Sequence, residues 1–188
     1  MKQDLVASLR AALVALLAFT ILLGVAYPAL VQVLALGIGA KPALGLVGQA
    51  IDDPRYFWSR PSATGPAPYT AMTSSGTNLA PSNPALHEAI VARTGAIHAA
   101  DAGGGAGAAA AAIPTDLVTS SASGLDPHIS PEAAYYQVPR IARLRGFPEE
   151  RIRALVAALV DPRTLGILGD PRVNVVALDR ALDALARR

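Results

Sequence analysis

The chain has 188 residues, 52% of them apolar, with 16 lysines and arginines against 14 aspartates and glutamates and no cysteine. Without cysteine, a disulfide framework and a cysteine-bearing metal site are both excluded. Beyond Leu36 there are 14 basic and 13 acidic residues, so the aqueous part is nearly neutral and no broad nucleic-acid surface is expected.

Residues 1–10 are a short arm carrying Lys2, Asp4 and Arg10. Ala11 to Leu36 then holds no charge, and 14 of its residues are Leu, Ile, Val or Phe. As a helix this run extends ~39 Å, more than the ~30 Å hydrocarbon core of a bilayer. On the insertion scale those side chains favour the bilayer by about 4–8 kcal/mol. A cleaved leader has a shorter apolar core and a small-residue exit, for which Gly37 to Ala40 is a weak match. A retained single-pass helix over 11–36 is therefore expected, with Pro28 kinking it or ending its regular part. Lysine and arginine counts on the two flanks do not set its direction. A short arm before one anchor leaves residues 1–10 cytoplasmic and residues 37–188 outside, as an expectation only.

The segment 37–188 is long enough for one domain with its own core. After a glycine-rich joint, Tyr56-Phe57-Trp58 lies between prolines and reads as a local packing anchor or contact surface. Residues 63–84, rich in Pro, Gly, Ser and Thr, read as a long loop. Asn83 and Pro84 start a helix with Leu86, Ile90, Val91 and Ile97 on its apolar face. Residues 103–112 are a low-complexity Gly/Ala insertion with no phosphate-binding lysine after it.

Residues 113–119 read as a short strand around Leu117-Val118. The turn-dense stretch 120–131 leads into a helix capped by Ser130, with Pro131 at its first position, a bend or restart at Pro139 and an end at Gly146. Pro148 opens a helix bearing Ile152, Leu155, Val156 and Leu159. A turn at Gly169-Asp170-Pro171, a strand at 173–175 and a last helix with Leu178, Leu182 and Leu185 inward close the chain. The fold class is α+β, helix-rich, behind one transmembrane helix. Residues 140–188 hold ten basic and six acidic residues, and their arginines 140, 143, 145, 151 and 153 read as a solvated helix face that also meets a partner.

Asp126, His128 and Ser130 are the residue types of a hydrolase triad, but at i, i+2 and i+4 beside two prolines they cannot easily supply the ordered hydrogen bonds and an oxyanion hole. Ser130 is better explained as a helix cap and Asp126 as a turn former. His87 and His98 stand three turns apart, too far for joint metal ligation, and neither a P-loop nor a dinucleotide fingerprint is present. No catalytic, metal or stably bound cofactor site is expected.

Four separated stretches resemble one family. Phe57–Ala63 (FWSRPSA), Ser74–Leu86 (SSGTNLAPSNPAL), Pro114–Gly146 and Leu165–Val175 (LGILGDPRVNV) are similar, in order, to the signatures of the KdpC family. Members of that family are the C subunits of the bacterial high-affinity potassium-transporting P-type ATPase. The resemblance implies a non-catalytic accessory subunit in the cytoplasmic (inner) membrane, with its C-terminal domain on the periplasmic side. Its implied partners are a channel-like potassium-binding subunit and an ATP-hydrolysing subunit, which handle potassium and ATP. It also implies a catalytic-chaperone role that raises the ATP affinity of the hydrolysing subunit. A domain outside the membrane meets no ATP, so that role is expected to act through the assembled state. The residues expected to contact partners or set the signature loops are Phe57, Trp58, Arg60, Pro61, Asn78, Pro81, Ser82, Asn83, Pro84, Ser123, Gly124, Leu125, Asp126, Pro127, His128, Ser130, Pro131 and Gln137. The competing readings are a membrane-anchored hydrolase using His128 and Ser130, and a binding module released by cleavage near Ala40.

Overall fold

The computed structural model describes residues 2–37, 45–102 and 112–186. Residues 38–44 of the glycine-rich joint expected over 37–48, and nearly all of the Gly/Ala insertion, 103–111, lie outside the described residues. The chain divides into two compact units, Met1–Pro42 and Ala43–Arg188.

The first unit is one long helix: α1 (Lys2–Ile21), a π-helical turn (Leu22–Ala26) and α2 (Tyr27–Gly37). The helix thus begins within the ten-residue arm. Its stretch Leu5–Gly37, 33 residues, is long and apolar enough to cross a membrane. Pro28 neither ends nor restarts it. Proline lacks an N–H and crowds the carbonyl four residues back, and the wider turn just upstream, where the Tyr27 N–H reaches the Leu22 carbonyl, accommodates both effects.

The second unit is helix-rich around a small sheet. Its elements are α3 (Pro84–Asp101), β1 (His128–Ile129), α4 (Pro131–Arg145), α5 (Glu149–Ala158), β2 (Val160–Asp161), β3 (Arg172–Asn174) and α6 (Val175–Ala186). The sheet order is β1-β3-β2, antiparallel throughout, with Ile129 and Val160 both opposite Val173. Phe57, Ile129, Val138, Ile141, Ile152, Val156, Val173, Leu178 and Leu182 form its core, each at most 2% exposed. Each such side chain contributes ~1.5–3 kcal/mol relative to exposure.

The helix starts follow their local chemistry. Asn83 accepts the Ala85 N–H at 3.0 Å, and Ser130 accepts the Ala133 N–H at 3.0 Å. Gly146 ends α4 in the left-handed conformation at φ +69°. Inside α4, Pro139 costs about 3 kcal/mol. The helix nevertheless continues through it, because Ala133, Ala134, Gln137 and Val138 before it and Arg140, Ile141 and Ala142 after it are all buried.

Three expectations need correction. Residues 115–117 form a 3₁₀ turn rather than a strand. Leu117 and Val118 are buried as an apolar strand would be, but Pro114 starts the turn and the Thr119 hydroxyl closes it onto the Thr115 carbonyl at 2.8 Å. Two strands form in segments read as loop or helix end, β1 and β2, each two residues long and defined only by pairing with β3. On α3, Val91 is 56% exposed. The inward row is Ile90, Arg93, Ile97 and Asp101, which keeps a helical period that Val91 breaks.

Candidate functional site

After a turn in which the Tyr56 N–H bonds the Asp53 carbonyl at 3.1 Å, the segment Phe57–Ser62 joins no helix or sheet, and its backbone groups need partners all the same. Side chains of α4 and α6 supply them. Phe57 N–H donates to Asp179 Oδ1 at 2.9 Å. Trp58 N–H donates to Gln137 Oε1 at 2.7 Å, and Gln137 Nε2 returns a bond to the Trp58 carbonyl at 3.1 Å. One amide thus does for Trp58 what a neighbouring strand would do.

Arg140 completes this hub. Its Nη2 donates to Gln137 Oε1 at 2.6 Å and to the Tyr56 carbonyl at 3.2 Å, while the guanidinium lies 4.4 Å from the Trp58 ring centre. Asp101 Oδ1 is 3.8 Å from Nε, and Asp101 Oδ2 accepts the Tyr136 hydroxyl at 3.2 Å. Burial, and secondarily the charge of Asp101, push Tyr136 up to about 12. Burial likewise raises the Asp179 carboxyl to about 7, although the Phe57 N–H and Arg145 both pull it down.

Nearby, Arg145 stacks 4.3 Å from the Tyr56 ring centre and bonds Asp183 at 2.9 Å. The arginines of residues 140–153 are therefore not a uniform solvated face. Arg140 is 3% exposed and sits inside the domain, Arg145 clamps Tyr56, and Arg143, Arg151 and Arg153 are exposed.

The signature loops are stitched to one another. Ser62 Oγ donates to the Gly124 carbonyl at 2.7 Å, and Ser75 N–H and Ser74 Oγ both reach the Ser123 carbonyl, at 3.0 and 3.1 Å. Ser121 Oγ and Ser123 Oγ accept the backbone N–H groups of Gly124 and Leu125. Gly124 has φ +66°, and a Cβ there would lie 2.5 Å from the Ser75 carbonyl, so this crossing of two loops requires glycine. Pro127 is buried, and its carbonyl accepts the Val175 N–H at 2.9 Å, fixing the loop to the start of α6. Asn78 (φ +51°), Pro81, Ser82 and Pro84 are exposed.

Two clefts border these loops. One, of about 260 Å³, is lined by Trp58, Arg60, Pro61, Tyr69, Arg93 and Gln137 among others. Its arginines bind backbone: Arg93 reaches the Val118 carbonyl at 2.7 Å, and Arg60 the Thr119 and Ser120 carbonyls at 3.4 and 3.2 Å. The second, of about 520 Å³, brings together Asp126, His128, Ser130 and Pro171 with Arg60 and Asp116. Here His128 Nδ1 meets Asp126 Oδ1 at 3.0 Å, but the Ser130 oxygen is held by the Ala133 N–H and Asp116 accepts the Ser130 N–H at 2.7 Å. Among the described residues no hydrogen bond joins His128 to Ser130, and no group of three metal-ligating side chains occurs. Pro131 opens α4 directly below the Ser130 cap.

Reading the sequence missed Asp101, Asp179 and Arg140 as members of a buried polar hub. Their only sequence signal is a charged residue on the inward row of an otherwise apolar helix face.

In this arrangement polar side chains hold the Phe57–Ser62 strap and two crossed loops in register. The family model for the K+-transporting ATPase c chain, KdpC, matches residues 9–184. The potassium-transporting ATPase KdpC subunit of Sorangium cellulosum (strain So ce56) is 50% identical, covering 95% of this chain and 98% of its own. That of Polaromonas naphthalenivorans (strain CJ2) is also 50% identical, over 94% of each chain. At 45% identity, the subunit of Methylorubrum populi (strain ATCC BAA-705 / NCIMB 13946 / BJ001) covers 96% of this chain and 98% of its own. The chain belongs to the KdpC family and is thereby an accessory subunit of a potassium-transporting ATPase.

Proposed function

We propose that this chain is a single-pass, non-catalytic subunit that holds the potassium pump in one assembled state, with residues 37–188 outside the cytoplasm. The observation that carries this reading is the 33-residue apolar helix, whose described side chains are exposed from Leu5 to Leu34. Such a surface needs lipid or other membrane helices around it, since water does not solvate it favourably. Companion subunits bind potassium and hydrolyse ATP. This chain raises ATP affinity indirectly, by binding the ATP-competent assembly better than the alternatives.

The test is co-expression with the other pump subunits. The chain is expected to co-purify with them, and its omission to lower the apparent ATP affinity of the remaining complex. A reporter fused after Arg188 is expected to be active only outside the cytoplasm. Failure to co-purify overturns the reading, and a reporter active inside overturns its sidedness.

The hydrolase alternative has one observation in its favour, the Asp126–His128 hydrogen bond at 3.0 Å. It requires His128→Ala to abolish an activity of the isolated chain, whereas the accessory reading expects no such activity to lose.

A further inference from the structure

Residues 163–170 form a hairpin between β2 and β3. Thr164 and Leu168 exchange backbone hydrogen bonds at 2.9 and 3.0 Å, and the N–H groups of Gly166 and Ile167 reach back to the carbonyls of Arg163 and Thr164. Arg163 pairs with Asp170 across the base at 2.9 Å, and Arg172 with Asp161 beside it at 2.7 Å. The turn is thus defined by its own bonds, yet Leu165 is 86% exposed, Ile167 74% and Leu168 58%. Leu165 also stands at φ +56°, a region that a leucine side chain disfavours. A glycine there would relax the backbone and remove an apolar side chain from water. Leucine opposes both, an arrangement that makes sense when something outside the domain covers it.

We propose that this tip is a docking knob that inserts into an apolar socket on the extramembrane surface of a companion pump subunit, an inference that rests on the pump-subunit reading. The hydrogen-bond inventory selects that occupant. The N–H groups of Thr164, Gly166, Ile167 and Leu168 are used within the turn, whereas the carbonyls of Leu165, Gly166 and Ile167 accept no hydrogen bond among the described residues. Hydrocarbon offers those carbonyls no donor. A second copy of the same tip brings the same three acceptors and another projecting cluster of Leu165, Ile167 and Leu168 rather than a hollow to receive one. Both flanking arginines are neutralised by carboxylates, so the collar has no net pull toward anionic headgroups, and the tip lacks the Trp or Tyr of an interfacial anchor. What remains is a neutral protein surface with N–H donors around an apolar hollow.

The experiment uses the full chain assembled with the purified pump subunits in a membrane. A photo-crosslinking residue at Ile167 is expected to capture a companion subunit. Capture of lipid, of a second copy of this chain, or of nothing in an assembled pump overturns the proposal. Leu165→Gly supplies the second arm, because it removes the knob while easing the backbone. The variant is expected to melt at or above the wild-type temperature yet retain companion subunits about tenfold less well. Retention equal to wild type overturns the proposal. If the wild-type chain itself fails to co-purify, the pump-subunit reading falls first. If it co-purifies but the tip contacts no companion, only this inference falls.

Discussion

Gln137 and Arg140, two of the most polar side chains of the C-terminal unit, are 1% and 3% exposed, whereas Leu165 and Ile167 are 86% and 74% exposed. The hub and the hairpin invert the usual sorting of side chains in opposite senses. In the hub, every buried donor and acceptor except Arg140 Nε and Asp179 Oδ2 has a partner among the described residues, and the polar groups serve the fold by replacing a missing strand. In the hairpin the backbone is bonded locally while apolar surface is left uncovered, and no core contact accounts for it. Polarity inside reports on architecture, and apolarity outside on association.

The comparison breaks most severely at Gln137. Leucine of similar volume would leave the Trp58 N–H and carbonyl unpaired, lowering stability by at least ~3 kcal/mol. A denaturant melt of the full chain in detergent measures it, and a loss under about 1 kcal/mol would remove the hub from the structural account.

Next in size is a pH effect. The Asp179 carboxyl is held near 7 by burial, above its unfolded value near 4, so the folded chain binds that proton more tightly. Stability therefore falls as pH rises from about 4 to 7, by about 2–3 kcal/mol between pH 5 and 8. Asp53, held at about 2 by Arg55, contributes in the opposite sense but only at lower pH. Melts across pH 5–8 are expected to slope downward for the wild type and to lie flat for Asp179→Asn; an equal slope in both refutes the assignment.

Gly124→Ala sets a side chain in the left-handed region against the Ser75 carbonyl and is expected to cost about 2 kcal/mol or more, read from the same melts. Asn83→Ala and Ser130→Ala each remove a helix cap and are expected to cost ~1 kcal/mol. The smallest effect sharpens the contrast: Ile167→Ser is expected to shift the melt by under ~0.5 kcal/mol, because the side chain it removes touches water rather than core.

Local chemistry in the sequence determined the apolar helix, the Asn83 and Ser130 caps, the Gly146 stop and the inward leucines of α6. Each depends on residues within a turn or two of one another, where propensity, capping and period act directly. It also carried the family resemblance, and it placed Phe57, Trp58 and Gln137 among residues worth attention without saying what joined them. Only the tertiary structure decided that β1 and β2 exist, that residues 115–117 curl, and that α4 survives Pro139. It alone paired Gln137 with Trp58, 79 residues apart, and Asp179 with Phe57, 122 apart. Two-residue strands and single side chains acting as strands have no period to read. Their free energy comes from partners that meet only once the whole chain has closed around them.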